Sequence, residues 1–282
     1  VKKTSRPIPL FSLEPHAIGG MFIEELPVDV PEAAQPHQDD HYLIMLLTAG
    51  KAILEIEKEV FHCEAPALAV IKPLQVHCAT RISIPAGWAF SCAPFMIPEA
   101  LAAILPGLDI RQQYVSLINA EDLFQIAAVL TTAFNTSSTA GRHKPAILKG
   151  LSEAFFHRIL PELEVAQDKT IQQKGQPAVI TRQFMQLLQQ QPTGQTPAYF
   201  ARQMHITTAH LNDCVRETTG FPVTYWRQYA MLHIAKRLLY YTDKPVKSIA
   251  WELGFEDHTY FSRLFRKLTG ETPGAFRCKF QE

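Results

Sequence analysis

The sequence predicts a two-domain chain of mixed α and β class, with a small barrel or sandwich of short strands followed by helices, then an all-α half. Three observations predict it. Apolar runs up to about residue 97 are short and punctuated by Pro and Gly. From about Asn119 the apolar spacing becomes helical. The charge also changes sign: residues 1–160 hold 12 Lys and Arg against 16 Asp and Glu, whereas residues 161–282 hold 15 against 11. A formal net charge of zero therefore conceals an acidic half and a basic half, which are read separately.

The first strands are expected at His41–Leu47, Ala52–Ile56, Ala67–Ile71 and Ala89–Cys92. Turns are expected at Ala49-Gly50-Lys51, Pro66, Lys72-Pro73 and Pro85-Ala86-Gly87. Alternation through Glu55, Glu57 and Glu59 reads as the wet face of a strand rather than as paired catalytic carboxylates. Behind the barrel (about residues 10–97), Leu123, Ile126, Ala127 and Leu130 fall at helical spacing. So do Ile147, Leu148, Leu151, Ala154, Phe155 and Ile159, which places helices within about 119–160. A Ser-, Thr- and Gly-rich loop is expected at 135–142, and a polar linker at 161–177 separates domain 1–160 from domain 178–282.

Composition narrows the class. The 282 residues are 47 % apolar and 19 % charged, a globular balance. No apolar run approaches the roughly 18 residues of a membrane span. Val1-Lys2-Lys3 leads into no apolar signal core, and the five cysteines form no CxxC pair; both predict a cytosolic chain with reduced thiols. No nucleophile elbow, phosphate-cradling Gly loop, HExxH or dinucleotide fingerprint occurs, so no enzyme class is indicated.

The basic half contains a duplication. Phe200-Ala201, His205, Leu211, Val215 and Thr219-Gly220 match Ile249-Ala250, Gly254, Phe261, Phe265 and Thr269-Gly270. Each copy has a short helix with an apolar-Ala pair, a tight turn, and a second helix ending at Thr-Gly. This is the layout of a helix-turn-helix, in which the second helix enters a DNA groove. Thr196-Pro197 and Thr272-Pro273 read as helix starts, and Gly220, Gly254 and Gly270 as helix stops. Between the copies, Val223–Tyr241 reads as one helix with a stripe through Trp226, Tyr229, Leu232, Ile234, Leu238 and Leu239. At 1.5 Å per residue it is about 28 Å long, near the roughly 34 Å between successive major-groove faces on one side of DNA. Leu211, Val215, Phe261, Phe265, Trp226 and Trp251 are expected in the core.

These residues resemble the DNA-binding domain of the AraC/XylS family of bacterial transcription regulators. The second copy carries the most specific spacing, from Ile249-Ala250 through Gly254-Phe255-Glu256-Asp257 and Tyr260–Lys267 to Thr272-Pro273 and Phe276-Arg277. The resemblance implies DNA-facing positions at Asp257, His258, Thr259, Ser262 and Arg263 in the second reading helix. Arg263 is expected to read a base, and Arg266 and Lys267 to meet phosphates. In the first reading helix the matching positions are Thr208, Ala209, Asn212, Asp213 and Arg216. The sequence departs from the family pattern at Asp213, where Arg is frequent, and at His205, where the turn usually has Gly. Expected partners are promoter or operator DNA, a second copy of the chain as a homodimer, a small-molecule effector, and RNA polymerase if the protein activates.

Pro36–Tyr42, Gly50, Pro66 and Pro73–His77 resemble the cupin-type sensor barrel common in that family. This implies an effector pocket with His37, His41, Tyr42, His77, Arg81 and Trp88 as lining residues. The alternative is a cupin metalloenzyme with an accessory helical domain. Metal-binding cupins use His-x-His followed closely by Glu. Here His37 and His41 are four apart, and Met45 and Leu46 occupy the region of that Glu. The sequence therefore predicts structural or pocket histidines and no metal or other cofactor.

Overall fold

The computed structural model describes residues 8–13, 17–26, 35–136, 143–191 and 193–281, with backbone alone at 80–85, 170, 174 and 279–281. The chain forms two compact units. The first comprises residues 1–97 and 110–166; the second comprises 98–109 and 167–282. The expected two-domain mixed architecture is present, but residues 98–109, read as part of the first domain, group with the second.

The first unit is built on a six-stranded sheet. Its strands are β2 (Met21–Glu25), β4 (Tyr42–Ile56), β5 (Glu59–Glu64), β6 (Ala67–Ile71), β7 (His77–Cys92) and β8 (Tyr114–Ser116). The order is β2-β7-β4-β6-β8, with β5 also on β4. Two short strands, β1 (Leu10–Phe11) and β3 (Gln38–Asp39), pair in parallel. Among the described residues the sheet does not close, so the expected barrel is an open, curled sheet.

Two expected turns are not turns. β4 runs straight through Ala49-Gly50-Lys51, and β7 runs through Pro85-Ala86-Gly87. The register between the two strands shifts at Leu47/Ala49 and Ala49/Lys51, so these residues make bulges that bend a continuous strand pair. Gly87, at φ +143°, marks the close approach: a Cβ there would lie 1.9 Å from the Leu46 carbonyl oxygen. The real turn is Glu57-Lys58, both at positive φ, and it joins β4 to β5. Glu57 is thus a turn residue, not part of a wet strand face, and its carboxylate accepts the Val76 N–H at 2.7 Å.

Helices α2 (Glu121–Asn135) and α3 (Lys144–Lys174) follow the expected spacing. Phe155 of α3 stacks on Phe90 of the sheet at 4.4 Å, and Phe134 of α2 meets Phe22 edge-on at 5.9 Å. Much of the expected linker is helical. α3 continues through Pro161 to Lys174, and Leu163, Ala166 and Gln167 are buried. Its end comes at Gly175, at φ +65°. From residue 137, the expected loop at 135–142 lies outside the described residues.

The second unit contains α1 (Glu99–Ile104), α4 (Gln176–Gln190), α5 (Pro197–Gln203), α6 (Thr208–Thr219), α7 (Val223–Tyr241), α8 (Val246–Glu252), α9 (His258–Thr269) and α10 (Pro273–Gln281). α7 has the expected bounds. The first half-core joins Ile180, Phe184 and Leu188 of α4 to Phe200, Leu211, Val215 and Trp226. The second joins Phe261 and Phe265 to Phe276 through ring contacts of 5.9 Å each. α1 lies against α4: the Gln189 side-chain amide donates to the Glu99 carbonyl, and Ala102, Ala103 and Pro106 share an apolar pocket with Met185, Leu188 and Trp226. Among the described residues no helix is long and apolar enough to cross a membrane.

Candidate nucleic-acid interface

Both helix-turn-helix copies are present, and their backbones close the same way. In the first turn the Ile206 N–H donates to the Ala201 carbonyl at 3.0 Å; in the second, Phe255 N–H donates to Ala250 at 2.9 Å. The residue before each donor is left-handed, His205 at φ +54° and Gly254 at +80°. That left-handed conformation at the stop is why glycine is usual there. Ala201 and Ala250 are buried, which lets the two helices of each pair cross closely.

The second turn is one residue longer. His205-Ile206-Thr207 corresponds to Gly254-Phe255-Glu256-Asp257, after which the reading helices match position for position at an offset of 50. Thr207 caps α6 by accepting the His210 N–H at 3.1 Å, and Asp257 caps α9 by accepting the Thr259 N–H at 2.7 Å. Gly220 and Gly270 end the two helices at φ +82° and +85°. Each reading helix therefore has 12 residues between equivalent caps.

Thr208, Ala209, Asp213 and Arg216 are exposed on α6, and His258, Thr259, Arg263, Arg266 and Lys267 on α9. Among the described residues none of Arg216, Arg263, Arg266 and Lys267 pairs with a carboxylate. Three expected DNA-facing side chains have local work. Asn212 is half-buried and its Oδ1 accepts the Val223 N–H at 3.2 Å, capping α7. Ser262 donates to the His258 carbonyl at 2.9 Å. Asp257 is exposed but is committed to the N-cap of α9, and the Thr259 N–H holds its carboxyl below the usual range. Trp251, expected in the core, is 54 % exposed, with the Lys247 ammonium 4.7 Å above its ring.

In the first unit the strands bring together part of the expected effector set. His37 and His77 exchange backbone hydrogen bonds of 3.0 and 2.9 Å, which brings their tilted rings to 4.3 Å between centroids. Buried His41 joins them around the buried carboxylate of Asp39. The sequence reading missed Asp39; its only signal was the His-x-Asp-x-His alternation on one strand face. Buried Tyr42 begins β4, and half-buried Trp88 lies opposite Leu46 and Glu25 in the sheet. The side chain of Arg81 lies outside the described residues.

Residues 200–279 match a family model described as a helix-turn-helix domain. The arabinose operon regulatory protein of Escherichia coli is 34 % identical over 85 residues. Over this stretch the chain is similar to the DNA-binding part of that regulator. The HTH-type transcriptional activator RhaR of Pectobacterium carotovorum is 35 % identical over 81 residues. These matches cover 30 and 29 % of this chain, and 29 and 28 % of the respective relatives, so the chain aligns with less than a third of each relative's length. Among solved structures, ToxT from Vibrio cholerae aligns over 86 % of this chain and 90 % of its own at 12 % identity and TM-score 0.40.

Proposed function

We propose that this chain is a sequence-specific DNA-binding transcriptional regulator. The observation that carries this reading is the pair of equally capped reading helices whose exposed cationic side chains pair with no carboxylate among the described residues. In this reading Arg263, on the first turns of α9, takes guanine O6 and N7 together. Arg216, Arg266 and Lys267 track phosphates, where charge positions the domain without reading sequence. Thr208, Ala209, His258 and Thr259 lie at the base edges near the helix N-termini, the part of a recognition helix that enters the groove. Asp213 accepts from cytosine N4 and keeps phosphate away, so the first copy reads differently from the second. Asn212, Asp257 and Ser262 support this surface chiefly by holding its helices.

The reading extends to a cytoplasmic chain that acts as a homodimer and answers to a small effector bound in the N-terminal sheet, with RNA polymerase as a further partner if it activates. The free state of all five cysteines supports a reducing compartment. Selection of bound sequences from random duplex DNA tests the central claim. The full chain is expected to enrich one motif, and Arg263→Ala to weaken that site by about 1–3 kcal/mol while relaxing one base position. Enrichment of no motif at near-physiological salt overturns the reading.

A further inference from the structure

The histidine cluster of the first unit has an electrostatic arrangement that its protein groups do not complete. His37 Nδ1 lies 3.0 Å from the Gln35 carbonyl, and His77 Nδ1 lies 3.0 Å from the Gln75 carbonyl. A carbonyl only accepts, so each Nδ1 carries the proton, and in the neutral ring Nε2 presents a lone pair. His41 follows the same logic: its Nδ1 donates to Asp40 Oδ1 at 3.0 Å.

All three Nε2 atoms face one carboxylate. They lie 3.9 Å (His37), 3.7 Å (His41) and 3.3 Å (His77) from Asp39 oxygens. His77 Nε2 is fully buried and makes no hydrogen bond among the described residues. Lone pairs turned toward a buried carboxylate repel unless a positive centre lies between them. A proton is a poor fit, because charge-assisted N–H···O bonds close to about 2.7–2.9 Å. Ligands bonded at about 2.0–2.1 Å around a tetrahedral ion stand about 3.3 Å apart, the separation of His77 from Asp39, with His37 at 3.9 Å. The ligand atoms of His37, Asp39 and His77 all lie within 4.8 Å of one another.

We propose that the first unit binds a divalent transition metal ion of the zinc class through His37 Nε2, His77 Nε2 and the Asp39 carboxylate. Two imidazoles and one carboxylate suit zinc, cobalt or nickel better than magnesium or calcium, which take oxygen ligands. The Nδ1–H bonds to Gln35 and Gln75 supply the outer contacts that orient ligating histidines. His41 lies beside Asp39, its Nε2 3.7 Å from the carboxylate, but stands outside this three-residue ligand set. The ligand set is His-x-Asp on β3 and its entry, plus a histidine at the start of β7; the backbone pairing of His37 with His77 fixes it before any ion arrives.

Chelator-treated, full-length protein titrated with Co2+ and Zn2+ tests this inference. The expected result is one equivalent bound per chain, visible Co2+ absorption that Zn2+ displaces, and a rise in melting temperature. His37→Gln and Asp39→Asn are each expected to abolish the absorption and the rise; His37 is the more exposed ligand, so its variant is the one expected to keep the fold. A folded apoprotein that binds neither ion, or an unchanged signal in a folded His37→Gln chain, overturns the site. DNA selection run beside the titration reads the regulatory proposal separately, since either result can fail alone.

Discussion

His205 holds φ +54° at the helix stop where the second copy has Gly254. A non-glycine residue in this region costs about 1–2 kcal/mol. His205→Gly is therefore expected to stabilise the second unit by about 1 kcal/mol, read from denaturant midpoints, with DNA selection unchanged. Asn212 makes the opposite case. Its Oδ1 caps the Val223 N–H, so Asn212→Ala is expected to cost about 0.5–2 kcal/mol of stability. Its preferred DNA motif is expected to persist; a changed motif with unchanged stability would return Asn212 to the reading surface. Individual residues were unevenly legible. Arg263, Arg266 and Lys267 sit on an exposed face as their spacing implies, because helical period fixes direction. Asn212 and Trp251 did not follow, since a cap and a solvent-facing ring depend on neighbours 11 or more residues away or on crossing angles that period does not encode. Asp39 was hard to find for a similar reason: beyond the alternation with His37 and His41, its partner His77 is brought by strand pairing.

At the scale of elements, caps and stops were readable because their chemistry is local. Thr196 and Thr272 accept the N–H groups of Tyr199 and Ala275 at 3.2 Å, and Gly220, Gly254 and Gly270 take positive φ at the helix stops expected of them. The misread turns have one cause. Gly and Pro mark departures from ideal geometry, and a bulge in a long strand uses the same residues as a turn between short ones. The α3 segment was misread because its polar residues outnumber its buried ones, although Leu163 and Ala166 keep helical spacing into the core. α9 adds a pH dependence. The Thr259 N–H lowers the Asp257 carboxyl below its unfolded value, so this cap contributes above the ordinary carboxylate range and is lost as pH falls through the lowered value. Asp257→Asn is expected to retain a cap while flattening the acid limb of stability against pH, followed by circular dichroism; an unaltered limb would remove Asp257 from that role.

At the scale of the whole molecule, the division into a strand-rich half and a helical half follows from the change in apolar period and charge sign. The exact border does not, because residues 98–109 belong with a unit whose remainder begins only at Gln167. That small excursion carries Glu99, whose carboxylate lies 3.6 Å from Arg237, and Ile104, whose carbonyl accepts from Gln167 at 3.4 Å. A gene fragment starting at 167 would consequently strip a patch off the domain it means to isolate, baring Met185, Leu188 and Trp226 to water. Such a fragment is expected to melt earlier and to self-associate more than one to which residues 98–109 are restored by fusion or supplied as a peptide, with calorimetry and light scattering as the measurements. No single scissor cut parts the two halves cleanly: the strand-rich half's own stretch of gene encodes a plank of its neighbour's floor.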